Sequence, residues 1–283
     1  MKITLIGYGE VGRILAEDLA PLGHSITIYD LKLDGDAGDP LRVHATRLGA
    51  TLAASHAAAA TGAGLVISAV TASQAVRVAQ ACVPGLAPGA FFLDVNSASP
   101  GAKIRAAGFV DAAGGRYVEG AVMTSVPPYR IKVPLLLGGP NAAALKPLLD
   151  DLGFAASVAS DKLGVASATK MCRSVMIKGL EAMVIESFTA ARAYGVEDAV
   201  LASLKETFPG VDWEKQGAYF FQRVIEHGRR RSEEVGEVAQ TVREIGLGAP
   251  VGAACELLGA FGAEQACVGQ VGHPGLAFGG AAG

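Results

Sequence analysis

The sequence predicts an α/β protein, with a doubly wound sheet in its N-terminal half and only α-helices in its C-terminal half. Up to residue 160, short apolar runs alternate with segments of helical periodicity, which is the pattern of a sheet covered by helices on both faces. From residue 161 onward, long alanine-rich segments replace the strand-like runs. At about 150 residues per domain, a chain of 283 residues fits two domains, 1–160 and 161–283.

Composition and charge exclude several classes of protein. Hydrophobic residues make up 51% of the chain and charged residues 18%, which is too apolar for a disordered chain. The formal net charge of −3 gives no basic footprint for nucleic acid. The uncharged apolar runs are shorter than the roughly 18–20 residues of a membrane-spanning helix, and the first strand does not resemble a signal peptide. We therefore expect a cytoplasmic protein without nucleic-acid or membrane partners.

The first 30 residues have the order of a dinucleotide-binding βαβ unit. A strand at residues 1–6 leads into the turn GYGEVG at residues 7–12, followed by an amphipathic helical segment at 13–19 and a second strand at 25–30. A GxGxxG turn between a strand and a helix is the fingerprint of a Rossmann fold. We therefore predict that the N-terminal domain is a Rossmann domain that binds NAD or NADP.

Each residue of this turn has an expected role. Gly7 permits the tight bend, Gly9 lets the backbone approach a pyrophosphate, and Gly12 lets the helix pack against the strand. Glu10 and Val11 lie within the turn, which opens a helix whose N-terminus offers N–H groups and a positive dipole end to phosphates. We expect all five residues to contact the cofactor.

Asp30 closes the second strand, 18 residues after Gly12. A carboxylate at this position accepts hydrogen bonds from the ribose hydroxyls and repels a 2′-phosphate, which favours NAD over NADP. Lys32 lies two residues further on and partly offsets that repulsion. We therefore predict NAD as the cofactor, with NADP as the alternative.

Four further strands are predicted at residues 65–70, 90–96, 117–122 and 133–138. We place the last at an edge of the sheet because Pro134 cannot donate to a β-ladder. Ligands of open α/β sheets bind beyond the carboxyl ends of the strands. The residues at these ends are predicted to border one crevice, with cofactor contacts from Val70, Thr71 and Asn96 and substrate contacts from Asn96, Ser97, Met123, Thr124 and Ser125.

The C-terminal half predicts helices only. Residues 161–194 lack proline and are rich in helix-forming residues, which predicts one long helix that contains Gly164 and Gly179. Gly195 fits the C-terminal cap of this helix. Further helices are predicted at residues 198–207, 212–226, 230–245 and 250–265, followed by a disordered tail at 272–283.

The four cysteines are widely spaced, with no CxxC motif and no His/Cys cluster; they are Cys82, Cys172, Cys255 and Cys267. This pattern predicts buried, reduced thiols and no metal site.

The predicted long helix carries a polar stripe. Lys170, Ser174 and Lys178 follow one another at intervals of four residues and so share one face of the helix, and Arg173 flanks them. Spacing alone favours a solvent-exposed face over a functional site, because charged stripes of this kind usually face water.

Residues 1–190 resemble the β-hydroxyacid dehydrogenases, the family of 3-hydroxyisobutyrate and 6-phosphogluconate dehydrogenases. The resemblance lies in the glycine turn at 7–12, in the segment LDVNSASP at 93–100, and in Gly164 followed six residues later by Lys170. Three later segments resemble the C-terminal helical domain of phosphogluconate-dehydrogenase-like proteins of unassigned function: 178–182, 208–213 and 227–231.

The resemblance implies hydride transfer between a nicotinamide cofactor and a hydroxyl or carbonyl compound. It also implies that Lys170, which matches the family's lysine, acts as the general acid/base on the substrate oxygen. A neighbouring cation can lower the pKa of such a lysine toward the working pH. Arg173 and Lys178 are the candidates for that neighbour on the same helix.

Three positions depart from the family pattern together. Asn96, with Ser97 beside it, replaces a substrate-binding serine; residues 123–125 replace a serine–glycine–glycine turn; and Ser174 replaces an asparagine. Amide and hydroxyl groups can still bind a substrate carboxylate or hydroxyl. We therefore expect a small-molecule substrate other than 3-hydroxyisobutyrate or 6-phosphogluconate.

A basic segment in the C-terminal half has two interpretations. His227 and one of residues 229–231, for which we choose Arg230, can reach the crevice and bind a carboxylate or phosphate. Alternatively, the segment is a solvated helix face balanced by Glu233 and Glu234. Both interpretations stay open at this point.

Two further functional hypotheses stay open beside the dehydrogenase. An imine reductase shares the two-domain plan, and it need not use a lysine acid. A non-catalytic dinucleotide-binding protein would explain the altered turn at residues 123–125. The long helix and the apolar composition also predict a homodimer.

Overall fold

In the computed structural model, residues 1–35 and 38–247 are described, except for the side chains of residues 226–233. The predicted helix at 250–265, the predicted tail at 272–283, and Cys255 and Cys267 lie outside the described residues. The chain forms two compact units, Met1–Met171 and Cys172–Gly283. In the described part of the chain, no helix has the length and apolar character needed to cross a bilayer.

The first compact unit is built on one eight-stranded sheet, in the order β3-β2-β1-β4-β5-β6-β7-β8. All neighbouring strands are parallel except β6 and β7, which are antiparallel. The order reverses between β1 and β4, which is the point where open α/β sheets bind their ligands. The strands are β1 (Lys2–Ile6), β2 (Ser25–Tyr29), β3 (Thr51–Leu52), β4 (Leu65–Ser68), β5 (Phe91–Asp94), β6 (Arg116–Val122), β7 (Leu135–Gly138) and β8 (Ala156–Ser160).

Helices cover both faces of this sheet. Alternate residues of the central strands enter two separate cores: Leu65 and Ile67 pack on one side, and Val66 on the other. Strands buried on both faces have continuous apolar sequences, which accounts for much of the chain's high apolar content. The helices are α1 (Glu10–Leu19), α2 (Asp39–Arg47), α3 (His56–Ala60), α4 (Ala75–Cys82), α5 (Pro100–Ala112) and α6 (Ala142–Asp151).

The sheet extends further than the sequence predicts. The prediction that residues 133–138 form an edge strand is wrong, because β7 lies between β6 and β8. Pro134 precedes β7, so its missing N–H removes no hydrogen bond from that strand. Its carbonyl accepts the N–H of Met123 at 3.0 Å. The edge on this side of the sheet is β8, whose mostly exposed side chains lack the apolar run that marks the central strands.

Three helices follow the sheet: α7 (Val165–Tyr194), α8 (Glu197–Thr207) and α9 (Trp213–Glu244). α7 begins four residues later than predicted because Gly164 has a φ of +88°, which is outside the helical region. The predicted helices at 212–226 and 230–245 are one helix, α9, since a single glycine costs only about 1 kcal/mol in a helix. The first turns of α7 belong to the first compact unit, and the domain bounds of 1–160 and 161–283 stay a prediction. The predicted fold class, a Rossmann-type sheet followed by helices, is confirmed.

The two described cysteines differ from each other. Cys82 is buried in α4, and burial raises the pKa of its thiol to about 12. Cys172 is exposed on α7, so the prediction of a buried thiol is wrong at this position.

A buried polar cluster forms where β5 ends. The carboxylate of Asp94 is fully buried and lies 2.7 Å from the Lys103 amine of α5. The Tyr117 hydroxyl of β6 donates to the other carboxylate oxygen at 2.8 Å. Burial and the negative charge of Asp94 raise the pKa of Tyr117 well above its ordinary value, so this phenol remains a donor. The cluster joins β5, β6 and α5 at one point.

Lys103→Met is expected to lower the free energy of unfolding by about 3–5 kcal/mol, because it leaves the Asp94 carboxylate buried without its cation. Urea denaturation followed by circular dichroism measures the change. Lys146→Met is the matched control, since Lys146 forms an exposed ion pair with Asp150 that is worth roughly 0.5 kcal/mol. Equal losses in the two variants would contradict a structural role for the buried cluster.

Candidate active site

The glycine turn has the backbone geometry that a dinucleotide site needs. Gly7 has a φ of +94°, and its N–H donates to the Tyr29 carbonyl at 2.9 Å. A Cβ atom at Gly7 would overlap the carbonyl of Ala69, and one at Gly12 would overlap the carbonyl of Gly7. A Cβ at Gly9 would instead meet no protein atom within 4 Å. Gly7 and Gly12 are therefore required by the fold, whereas Gly9 leaves open space beside the turn.

The N-terminus of α1 faces the same turn. Gly9 is its N-cap residue, and it offers no side-chain acceptor to the helix. Glu10 and Val11 occupy the first turn, where backbone N–H groups have no acceptor inside the helix. Open space beside Gly9 and an N-terminus without a side-chain cap fit a pyrophosphate.

Asp30 follows β2 and is tied to the glycine turn. Its Oδ2 accepts the N–H of Tyr8 at 2.6 Å, and its Oδ1 accepts the N–H of Lys32 at 2.9 Å. Each carboxylate oxygen can accept a further hydrogen bond. The carboxylate is therefore held in one orientation while it keeps acceptor capacity for ribose hydroxyls.

Tyr8 anchors the glycine turn through its buried side chain, a role that the sequence does not predict. Its side chain is fully buried, and its hydroxyl lies 2.7 Å from Nδ1 of His44 in α2. Nε2 of His44 lies 2.9 Å from Glu17 in α1. Burial, with a smaller contribution from the Glu17 charge, raises the pKa of Tyr8 to about 12. No local pattern in the sequence relates residue 8 to residue 44.

Asn96 ties the ends of β4 and β5 together. Its Oδ1 accepts the N–H of Val70 at 2.6 Å, and its Nδ2 donates to the Ser68 hydroxyl at 3.0 Å. Its own N–H donates to Oδ1 of Asp94 at 2.9 Å. The side chain is buried, so its visible role is to hold two strand ends in place.

Lys170 lies against the residue that follows Asn96. Its Nζ donates a hydrogen bond to the Ser97 hydroxyl at 2.6 Å, in a partly buried environment. The two residues are separated by 73 positions in the chain. A continuous series of contacts thus runs from the glycine turn through Val70, Asn96 and Ser97 to the Lys170 amine.

The other predicted residues at the strand ends are less connected. The Thr71 hydroxyl lies 3.4 Å from that of Ser73, and the N–H of Met123 donates to the Pro134 carbonyl as described above. The side chains of Thr124 and Ser125 are exposed.

The distal part of the predicted polar stripe has other partners. Lys178 lies 3.0 Å from Glu234 of α9, so an acid of another helix balances its charge. Ser174 is half-buried on α7, in the second compact unit, and Arg173 is exposed. His227 and Arg230 lie on α9, and their side chains are outside the described residues.

Glu119 is a second residue that the sequence analysis missed. Its carboxylate is fully buried in β6 and accepts hydrogen bonds from Ala166 and Ser167 at the start of α7. The signal in the sequence is an acid inside the otherwise apolar run YVEGAV. Among the side chains that the structure describes, no group of three or more His, Cys, Asp or Glu residues is arranged to hold a metal ion.

Comparisons with known proteins match both halves of the chain. Residues 2–159 match the model described as the NAD binding domain of 6-phosphogluconate dehydrogenase. Residues 191–259 match a domain of unknown function (DUF1932). The second match agrees with the resemblance of the C-terminal segments to a helical domain of unassigned function.

Individual relatives extend the likeness over most of the chain. A solved structure of a conserved hypothetical protein from Sinorhizobium meliloti 1021 is 39% identical, covers 93% of this chain and 89% of its own, and has a TM-score of 0.77. The uncharacterized 28.5 kDa protein in the 7S RNA 5′ region of Methanothermus fervidus is 29% identical over 86% of this chain and 91% of that protein. The 3-hydroxyisobutyrate dehydrogenase of Pseudomonas aeruginosa is 25% identical over 75% of this chain and 71% of that protein.

The family resemblance predicted from the sequence is therefore confirmed. The first model covers more than half of the 283 residues, and the glycine turn, the end of β2 and the N-terminus of α1 fit the dinucleotide that it implies. A conserved protein of unknown function, 27% identical over 94% of this chain with a TM-score of 0.72, is described as structurally similar to 3-hydroxyacid dehydrogenases. This chain belongs to the family of the 6-phosphogluconate dehydrogenase NAD binding domain and has the fold of the 3-hydroxyacid dehydrogenases.

Proposed function

We propose that this protein is an NAD(P)-dependent oxidoreductase that transfers a hydride between nicotinamide and a small hydroxy acid or related carbonyl compound. The observation that carries this proposal is the hydrogen bond from Lys170 to Ser97 at 2.6 Å. It holds a primary amine beyond the end of β5, in a series of contacts that begins at the glycine turn. Family membership supplies the dinucleotide, and the amine supplies the acid/base group that such a transfer requires.

The cofactor would be held by residues of the first compact unit. Gly9 and the first turn of α1 would bind the pyrophosphate, and Asp30 would bind the adenosine ribose. When bound, the nicotinamide accepts or donates the hydride. Val70 would border the cofactor, and its N–H, which donates to Oδ1 of Asn96 at 2.6 Å, keeps the backbone in place there.

Lys170 would hold and move the proton of the substrate oxygen. In the oxidation direction its neutral amine takes the hydroxyl proton, and in the reduction direction its ammonium returns one to the carbonyl oxygen. Ser97 orients the amine through the 2.6 Å hydrogen bond, and its hydroxyl can also contact the substrate. A positioned acid/base group of this kind contributes about 10²–10⁴-fold to the rate.

Substrate selection would come from the residues at the strand ends that differ from the family pattern. The Asn96 amide already bridges β4 and β5, so Ser97 is the better candidate for direct substrate contact. The exposed hydroxyls of Thr124 and Ser125 replace the family's glycines with polar side chains. Hydroxyl groups in these positions support a small polar substrate that differs from those of the named relatives.

Lys170→Ala is expected to lower kcat by about 100-fold or more, because it removes the acid/base group, while NADH binding measured by fluorescence changes little. Lys162→Ala is the matched control, since Lys162 is an exposed lysine in the same unit. If Lys170→Ala keeps more than about a tenth of the wild-type activity, a general acid/base contribution of that size is excluded.

The cofactor preference is tested with NADH and NADPH. Like charges about 4 Å apart near a protein surface repel by roughly 1–4 kcal/mol, so kcat/KM for NADH is expected to exceed that for NADPH by at least about fivefold. Asp30→Ser removes the charge and should shift the ratio toward NADPH, whereas Asp150→Ser, on the exposed surface of α6, should leave it unchanged. A wild-type preference for NADPH would contradict the proposed role of Asp30.

A substrate panel separates the three functional hypotheses. Hydroxy acids and their keto or semialdehyde counterparts test the proposed activity, and cyclic imines test the imine reductase. Turnover of imines that survives in Lys170→Ala would favour the imine reductase, because that reaction does not depend on the lysine. NADH binding without turnover of any compound would favour a non-catalytic dinucleotide-binding protein.

A further inference from the structure

We propose that Glu119 is a positioning residue, whose buried carboxylate fixes the start of α7 and thereby holds the Lys170 amine against Ser97. This inference rests on the proposed function, to which it adds the group that sets the geometry of the lysine. Glu119 lies in the middle of β6, and its side chain is fully buried. A carboxylate in such a place is costly unless it is well paired.

Both oxygens of this carboxylate are bonded to the start of α7. Oε1 accepts the N–H of Ala166 at 2.9 Å, and Oε2 accepts the hydroxyl of Ser167 at 2.9 Å. First-turn N–H groups of a helix have no acceptor inside it, and a negative charge is stabilising at this end of the helix dipole. Glu119 therefore caps α7 from a position 47 residues before Ala166 in the chain.

The neighbouring strand is adapted to this contact. Gly138 of β7 is paired with Glu119 in the sheet, and a Cβ atom at position 138 would overlap Oε1 of Glu119. Because Gly138 has no side chain, the Glu119 carboxylate has room to extend toward α7. The contact between positions 119 and 138 therefore lies inside the sheet and not on its exposed surface.

The start of α7 is also fixed on the side of Ser97. A Cβ atom at Gly164 would lie 3.4 Å from Cβ of Pro100 and 3.5 Å from Cδ1 of Ile104, so the residue before α7 lies beside the first turns of α5. Ser97 lies three residues before Pro100. The glutamate on one side and α5 on the other therefore set the position of the first helical turn relative to Ser97.

Lys170 follows Ala166 by four residues, which is about one helical turn or 6 Å along the axis. A shift of the helix by one residue would move the lysine by about 1.5 Å along the axis and turn it by about 100°. Such a shift breaks a hydrogen bond of 2.6 Å. Because the helix is continuous over this turn, the two hydrogen bonds from Ala166 and Ser167 to Glu119 determine where the Lys170 amine lies.

Three variants of the full-length protein test this inference. Glu119→Ala removes both hydrogen bonds to α7. Ser167→Ala removes one of them, and it serves if Glu119→Ala does not fold. Glu119→Gln keeps an acceptor for Ala166 and a polar group for Ser167, so it should rescue the function.

The matched control is Asp212→Ala. Asp212 is also a carboxylate N-cap, because its Oδ1 accepts the N–H of Lys215 at 3.1 Å at the start of α9. It lies in the second compact unit and in none of the contacts of Lys170 described above. This variant loses a helix cap without disturbing the start of α7.

Two readouts are measured for each variant. The first is kcat and the KM of the cofactor, with kcat normalised to the folded fraction that binds NADH. The second is the rate at which acetic anhydride acetylates Lys170, measured by mass spectrometry relative to the exposed Lys205. A purely structural role lowers the melting temperature of a variant, but it changes neither readout well below that temperature.

Glu119→Ala is expected to lower kcat by about tenfold or more, since misplacement of a catalytic group by 1 Å can cost up to about 100-fold. The KM of the cofactor should stay the same, and the acetylation of Lys170 should speed up severalfold. Ser167→Ala should change both readouts less, and Glu119→Gln and Asp212→Ala should resemble the wild type.

Two results would overturn the inference. One is unchanged Lys170 acetylation in both Glu119→Ala and Ser167→Ala. The other is an equal loss of kcat in Asp212→Ala. Failure of the proposed function is a separate outcome: Lys170→Ala would then keep its activity, while the acetylation measurement would still show whether Glu119 positions the amine.

Discussion

The carboxylate of Asp94 has three donors around it in the protein interior: the Lys103 amine, the Tyr117 hydroxyl and the N–H of Asn96. The last of these bonds fixes the chain as it leaves β5, and Asn96 then holds the end of β4. The position of Ser97 follows from this arrangement, because Ser97 is the next residue. The candidate active site thus depends on an ion pair that it does not itself contain.

A second buried acid completes the arrangement from the neighbouring strand. Asp94 and Glu119 are paired in register across β5 and β6, so two buried acidic residues are neighbours in the sheet. Each is compensated differently, Asp94 by the Lys103 ammonium and Glu119 by the N-terminus of α7. One acid fixes the segment of Ser97 and the other fixes the helix of Lys170. The hydrogen bond between these two residues joins the parts that the two acids hold.

The sequence predicted those features whose signal is local. The glycine turn, Asp30 and the strand alternation follow from short spacings, and Lys170 followed from a resemblance carried by Gly164 and the lysine six residues later. Features that depend on distant pairing were missed. β8 lacks an apolar run, and nothing within a window of 20 residues indicates that Tyr8 meets His44 or that Glu119 meets Ala166. An acid inside a strand is an ambiguous signal until its partner is known.

The pairing of Glu119 with Gly138 has a consequence for how this protein can evolve. A side chain at position 138 becomes tolerable only when the residue at position 119 has already become shorter, and a shorter residue at 119 loses its reach to α7. The two positions are therefore epistatic, although 18 residues separate them in the chain. Lineages that keep a long acid in the middle of β6 are constrained to keep glycine opposite it, whereas lineages that abandon the acid are free to fill the gap.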